Sequence, residues 1–165
     1  MAKNDVRVRD TGGLNVVPTR TYQTEAAATD ILAGEPVKLK AAGSPYVIPL
    51  ATGEPVIGTT TQIVGIAKSD STHTAAADGT IEVYLPQTGV VYECAATTAG
   101  NADTEAKIKA LENDRVAFDL SGGVYTVDEN EGDAADHGLQ IVGGDPDRSV
   151  MYFTIRPASS EGPIA

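Results

Sequence analysis

Residues 78–85 read Asp-Gly-Thr-Ile-Glu-Val-Tyr-Leu. The Asp-Gly pair is a strong signal for a tight turn, and the residues after it alternate between polar and apolar side chains. Such alternation is typical of a strand with one buried face. Similar short segments recur between turn signals along the chain, at spacings of about 8–12 residues. The sequence therefore predicts an all-β fold, a small β-barrel or sandwich.

One helix is predicted to interrupt the strands, near residues 103–113. Asp103 or Thr104 can cap its first turn, and the residues that follow are mostly good helix formers. Ile108 and Leu111 share one face, and Asn113 is a plausible stop. Because the helix has only two or three turns, it must pack on the sheet.

The tetrapeptide Gly-Glu-Pro-Val occurs twice, at 34–37 and 53–56. Two copies this short do not indicate a duplicated domain. Proline fixes one backbone angle of a turn, so both copies are interpreted as the same device, a turn that leads into a strand.

Composition and charge exclude several classes of function. The chain has 165 residues with 12 basic and 23 acidic side chains, a formal net charge of −11. Phosphate backbones and anionic membrane surfaces repel such a chain, so no nucleic acid and no membrane partner is expected. A single cysteine allows no intramolecular disulfide. Without an apolar signal segment, we expect synthesis in a cytoplasm.

Few side chains suggest chemistry. His73 and His137 lie far apart in polar segments, and we interpret both as loop histidines. Cys94 lies in a strand pattern, which favours a buried structural thiol over a nucleophile. The acidic stretch 128–136 lacks the Gly and Glu positions of a calcium-binding EF-hand, so a solvated loop is expected, although a looser oxygen site stays open. No catalytic, cofactor or metal site is predicted.

Residues 1–24 differ from the rest of the chain. They contain four basic and two acidic residues, although the whole chain is strongly acidic. The segment 6–9 alternates apolar and basic residues, and its apolar side chains need a surface to pack against. We therefore predict an extended N-terminal arm over 1–24, a barrel-like domain over 25–157 and a C-terminal tail over 158–165. The candidate contact residues of the arm are Val6, Arg7, Val8, Arg9, Leu14, Val16, Val17 and Tyr22.

The order of these segments resembles a known family. The arm is followed by a Gly-Glu-Pro-Val turn, by Val-Gly-Ile-Ala-Lys-Ser-Asp at 64–70 and by the strand at 80–85. The segment 89–93 comes next, and Gly-Gly-Asp-Pro-Asp-Arg at 143–148 precedes a last strand that ends at 155–157. Over residues 30–157 this order is similar to the capsid decoration, or cement, proteins of tailed bacteriophages.

The resemblance implies a β-rich, β-tulip-like domain that performs no chemistry and needs no cofactor. Its partner would be the major capsid protein, bound at the outer surface of the virion at threefold positions, and the chain would be a homotrimer. The arm would add a strand to the capsid protein. Two alternatives stay open: another virion component, such as a head fibre or a tail-tube or adaptor protein, and a ligand-binding β-barrel.

Overall fold

The computed structural model describes residues 5–58 and 62–157. Within these ranges the regular elements are strands, one short α-helix and one short 3-10 helix (Ala99–Asn101), which confirms the all-β fold class. No helix among them is long and apolar enough to span a bilayer. The predicted tail, 158–165, lies outside the described residues.

In the part of the chain that the structure describes, twelve strands make up three sheets. They are β1 (Arg7–Asp10), β2 (Thr19–Thr24), β3 (Pro36–Leu39), β4 (Val47–Pro49), β5 (Gly65–Ala67), β6 (Gly79–Tyr84), β7 (Val91–Ala95), β8 (Arg115–Val116), β9 (Phe118–Ser121), β10 (Val124–Val127), β11 (Leu139–Asp145) and β12 (Val150–Ile155). The single α-helix, α1 (Glu105–Leu111), lies between β7 and β8.

The first sheet joins distant parts of the chain in the order β1-β7-β12-β11-β8. A register shift in β11 after Ile141 forms a bulge, where Gly143 has a φ of +153°. β9 and β10 form a separate hairpin around Gly122 and Gly123, both with positive φ. All strand pairs within these sheets are antiparallel.

The second sheet has the order β2-β6-β5-β3-β4 and curls on itself. Its two edge strands approach each other at one parallel bridge between Gln23 and Tyr46, where the Gln23 amide donates to the Pro45 carbonyl at 3.2 Å. The result is a small five-stranded barrel that one contact closes. We call the line along which β2 and β4 face each other the seam.

Two apolar clusters form the core. The larger one includes Tyr92, Phe118 and Phe153, with Phe153 stacked on Tyr92 and edge-to-face with Phe118. The smaller one fills the curled sheet with seven buried side chains: Ile31, Val37, Val47, Val64, Ala67, Ile81 and Val83. The alternation at 80–85 is thereby explained, because Ile81 and Val83 point into the barrel.

Residues close to the helix in sequence determine where it begins and ends. Thr104 caps α1 by accepting a bond from the Lys107 amide, Ile108 is buried against the larger cluster, and Asn113 follows the helix with a φ of +76°. The predicted helix and its stop are therefore confirmed.

In both Gly-Glu-Pro-Val copies the buried glutamate, Glu35 or Glu54, accepts a bond from the amide three residues earlier, at 3.1 and 2.7 Å. The first copy leads into β3, as predicted, whereas the second is followed only by an isolated bridge between Val56 and His137. The interpretation as a turn that leads into a strand is therefore wrong for 53–56.

The structure corrects the predicted boundary at residue 24. β1 pairs with β7, and β2 pairs with β6 along its whole length. Val6 and Val17 are each 3% exposed and belong to the larger core cluster. Residues 5–24 are therefore part of the domain and not a free arm, because their own sheets supply the burial that the apolar side chains require. Residues 1–4 lie outside the described residues.

Candidate docking surface

Strand β1 lies at the edge of the first sheet and separates its side chains by face. Val8 is opposite Tyr92 and packs against the larger core cluster, whereas Arg7 is opposite Glu93. Both arginines of β1 are exposed, and the Arg9 guanidinium lies 4.8 Å from the centre of the Tyr152 ring. Such cation–π contacts hold an arginine in place while it stays accessible. β1 therefore carries two exposed arginine side chains, although the chain as a whole is acidic.

A third arginine lies on the same sheet. Arg148 contacts Glu93 at 3.2 Å and Asp145 at 2.6 Å. The hydrogen bond from Arg148 lowers the pKa of the Asp145 carboxyl, and the two carboxylates raise the pKa of Arg148. Because these charges largely neutralise one another, Arg148 adds little to the positive potential beside β1.

The loop between β1 and β2, residues 11–18, has a defined conformation. The Leu14 amide donates to the Thr11 carbonyl at 3.1 Å, and the Thr11 hydroxyl donates back to the Leu14 carbonyl at 2.7 Å. The Asp10 carboxylate accepts from the Gly12 amide at 2.8 Å. At its far end, the Pro18 carbonyl accepts from Leu85. The loop is therefore held at both ends.

This loop exposes apolar side chains. Leu14 is 39% exposed and Val16 is 74% exposed, whereas the next residue, Val17, is buried. Among the described residues only two other large apolar side chains are this exposed, Val124 at 49% and Val142 at 44%. We use the name docking loop for four of the exposed side chains of β1 and the loop, namely Arg7, Arg9, Leu14 and Val16.

The eight candidate arm residues thus divide into two groups. Val6 and Val17 are buried, and Val8 and Tyr22 pack partly buried against the two core clusters. The other four form the docking loop. The alternation of apolar and basic residues in 6–9 correctly assigned Val8 to one face of the strand and its arginine neighbours to the other. It could not identify Val16 as the outward member of the Val16-Val17 pair, because that depends on where the loop enters β2.

The histidines and the cysteine lie in structural positions. Both histidines are outside the named strands, as predicted. The ring Nε2 of His73 lies 2.9 Å from the Ala28 carbonyl, and Nδ1 of His137 lies 3.3 Å from the Glu131 carboxylate. Cys94 is buried, its thiol donates to the Tyr125 carbonyl, and burial raises its pKa to about 12. The interpretation of Cys94 as a structural thiol is confirmed.

The acidic region 128–136 is only partly a solvated loop. Glu129 is buried, and its carboxylate accepts bonds from the Thr97 and Thr98 amides at 2.9 Å each and from the Asn101 side chain. Asp133 binds Arg115 and has a pKa lowered to about 2, mainly by that hydrogen bond. Glu129 and Asp133 therefore attach the region to the rest of the domain. The prediction of a wholly solvated loop is corrected at these two residues.

The described residues contain no group of three or more His, Cys, Asp or Glu side chains arranged to hold a metal ion. No protein-family model matches the chain, and no curated protein is detectably similar to it.

Proposed function

We propose that this chain is a non-enzymatic capsid decoration protein of a tailed bacteriophage. In this account it binds the outer face of the head and stabilises the lattice of the major capsid protein. The proposal rests on the resemblance in the order of strands and turns. It places the contact on the docking loop, because the other candidate residues pack against the chain's own core.

The observation that carries the proposal is the exposure of Leu14 and Val16 on a loop that is held at both ends. Exposed apolar side chains on a soluble protein are common singly, but two within three residues on an ordered loop mark a contact site. A loop already in its bound shape loses little conformational entropy on binding. The shell would supply the apolar surface that these side chains lack.

The distribution of charge supports an orientation in which the docking loop faces the shell. The body of the chain is acidic and would face away from packaged DNA, whereas Arg7 and Arg9 project from β1 beside the loop. Complementary acidic groups on the shell would steer the approach and fix the orientation. A homotrimer at threefold positions is part of the proposal, since cyclic assembly would present three docking loops to one site.

The test is co-sedimentation of the purified chain with expanded, undecorated capsids of the phage that encodes it, together with its mass in solution. Saturable binding near one trimer per threefold and quasi-threefold position is the expected result. Assembly into extended tubes or closed rings without shell binding would favour a tail or adaptor component. A monomer that binds no shell would overturn the proposal.

A further inference from the structure

The seam of the curled sheet leaves most of one strand edge open. Within residues 5–58 and 62–157, β2 is bridged on its outer side only at Gln23. On its inner side all six residues of β2 face β6. An edge strand with unpaired backbone groups is a template for another strand unless it is covered.

The direction of the backbone groups follows from two hydrogen bonds. The Leu85 amide donates to the Pro18 carbonyl, on the side of β6, whereas the Gln23 amide donates across the seam to Pro45. Because backbone groups alternate in direction along a strand, Thr19 and Thr21 direct theirs to the same side as Gln23. Neither residue has a backbone partner on that side among the described residues.

Thr21 lines a groove of about 360 Å³, and Thr19 lies two residues before it on the same edge of β2. Residues 43–45 of the loop between β3 and β4 form its other wall, and Tyr22, Leu39 and Val64 line it with apolar surface. These three side chains belong to, or pack against, the core cluster inside the barrel. A side chain entering the groove would therefore extend an existing apolar core, which favours burial.

The charge of the groove indicates which strand it fits. Among the described residues, Arg20 is the one charged residue in its lining, and its guanidinium lies 5.2 Å from the centre of the Tyr22 ring. No acidic side chain of residues 5–58 or 62–157 lines the groove, although acidic residues outnumber basic ones 23 to 12 in the chain. A carboxylate would therefore meet Arg20 without a competing anion in the groove.

We propose that the open edge of β2 accepts an extended, acidic segment of a partner protein as an additional strand. The backbone groups of Thr19 and Thr21 pair with the segment, an apolar side chain of the segment enters the groove, and a carboxylate binds Arg20. This is β-augmentation, in which backbone bonds supply affinity and alternate side chains supply specificity. The inference is independent of the capsid proposal, since it uses a different surface.

The probe is a blocked heptapeptide, Thr-Val-Thr-Glu-Thr-Val-Thr, titrated into the isotopically labelled full chain and followed by amide chemical shifts. Its apolar and acidic side chains share one face of an extended strand, as Tyr22 and Arg20 do on β2. Shift changes concentrated at the amides of Thr19, Thr21, Gly43 and Ser44 are expected. The matched peptide with the glutamate replaced by lysine should bind roughly tenfold more weakly or not at all.

Three variants test separately the charge of Arg20, the backbone edge of β2 and the docking loop. Arg20→Glu should weaken binding of the glutamate peptide roughly tenfold and reverse the preference between the peptides. Thr21→Pro removes an amide that β6 does not use, so the fold should persist while binding is lost. Val16→Asp, in the docking loop, should leave peptide binding unchanged.

No shift change at millimolar peptide, or changes confined to other surfaces, would overturn the inference. So would equal binding of both peptides by the chain and by Arg20→Glu. The peptide titrations contain no capsids, so their results are independent of the outcome of co-sedimentation.

Discussion

Gly12 packs directly against Gly89: a β-carbon on Gly12 would lie 2.6 Å from both the carbonyl carbon and the carbonyl oxygen of Gly89. Real side chains do not approach a backbone so closely, and Gly12 also has a φ of +63°. The contact joins the loop after β1 to the turn that precedes β7. It therefore helps to fix the position from which Leu14 and Val16 project.

The first prediction compares two adjacent glycines. Gly13 also has a positive φ, +86°, but a β-carbon there meets no atom within 4 Å. Gly13→Ala should therefore cost only the strain of a left-handed residue, about 1 kcal/mol in free energy of unfolding. Gly12→Ala should cost about 1–3 kcal/mol more, because the backbone of Gly89 must move. Urea unfolding of both variants measures the difference, and equal losses would show that the loop is not pinned at Gly89.

The second prediction uses the neighbours Val16 and Val17. Val17→Ala removes two buried methyl groups and should lower the free energy of unfolding by about 2 kcal/mol. Val16→Ala should change it by less than about 0.5 kcal/mol, because the side chain is mostly in water. Thermal or urea unfolding checks both. A free N-terminal arm would instead give two variants of equal stability.

The packing of residues 5–24 also predicts the result of a truncation. Deleting residues 1–20 removes β1, leaves β7 at a sheet edge and takes Val6 and Val17 out of the core. We expect a poorly folded or aggregating protein, detected by loss of the cooperative unfolding transition. A truncated chain that unfolds with undiminished stability would restore the interpretation of a separate arm.

The buried Glu129 carboxylate provides a third prediction. It accepts two backbone amides of the segment after β7, and hydrogen bonds to charged groups contribute about 1.5–3 kcal/mol. Glu129→Ala should therefore destabilise the chain by about 2–4 kcal/mol, since both amides lose their partner. Glu131→Ala, two residues away, is the matched control and should cost far less. Similar losses at both positions would contradict the anchoring role of Glu129.

The fourth prediction concerns acid. Arg115 lowers the pKa of Asp133 from 3.8 to about 2 in the folded chain. A depressed folded pKa stabilises the fold fully above the unfolded value and loses that contribution as the pH falls through about 2. Asp133→Asn should therefore reduce the pH dependence of unfolding between about pH 4 and pH 2. In Arg115→Gln, carboxyl NMR should show the pKa of Asp133 rising towards 3.8; a value still near 2 would exclude Arg115 as the cause.

Local signals predicted the elements whose determinants are close in sequence. The α1 stop at Asn113 depends on the backbone preferences of a few residues. The Asp78-Gly79 pair correctly marks the start of β6, but the predicted tight turn at this pair is wrong. Gly79 has no positive φ and is the first residue of the strand, and the turn lies at 74–77, where the Thr74 amide donates to the Ala77 carbonyl. The alternation in 80–85 likewise identified the buried face of β6. These features could be predicted because the residues that specify them are neighbours.

The partners of β1 and β2 could not be predicted in this way. Val8 pairs with Tyr92 and Tyr22 pairs with Ile81, so each contact spans more than fifty residues. Alternation identifies a strand and its faces, but it does not say which sheet receives the strand. The apolar residues of 1–24 correctly indicated a need for burial. Their own domain, and not a partner, satisfies that need for Val6 and Val17.

The central claim is that the docking loop binds a phage shell, and one measurement tests it most directly. Val16→Asp and Val124→Asp place the same charge at two exposed valines, one in the loop between β1 and β2 and the other on β10. Both variants should fold as the original chain does. In co-sedimentation with expanded, undecorated capsids, the account predicts that Val124→Asp binds normally and that Val16→Asp weakens binding at least tenfold. Equal binding by the two variants would contradict it.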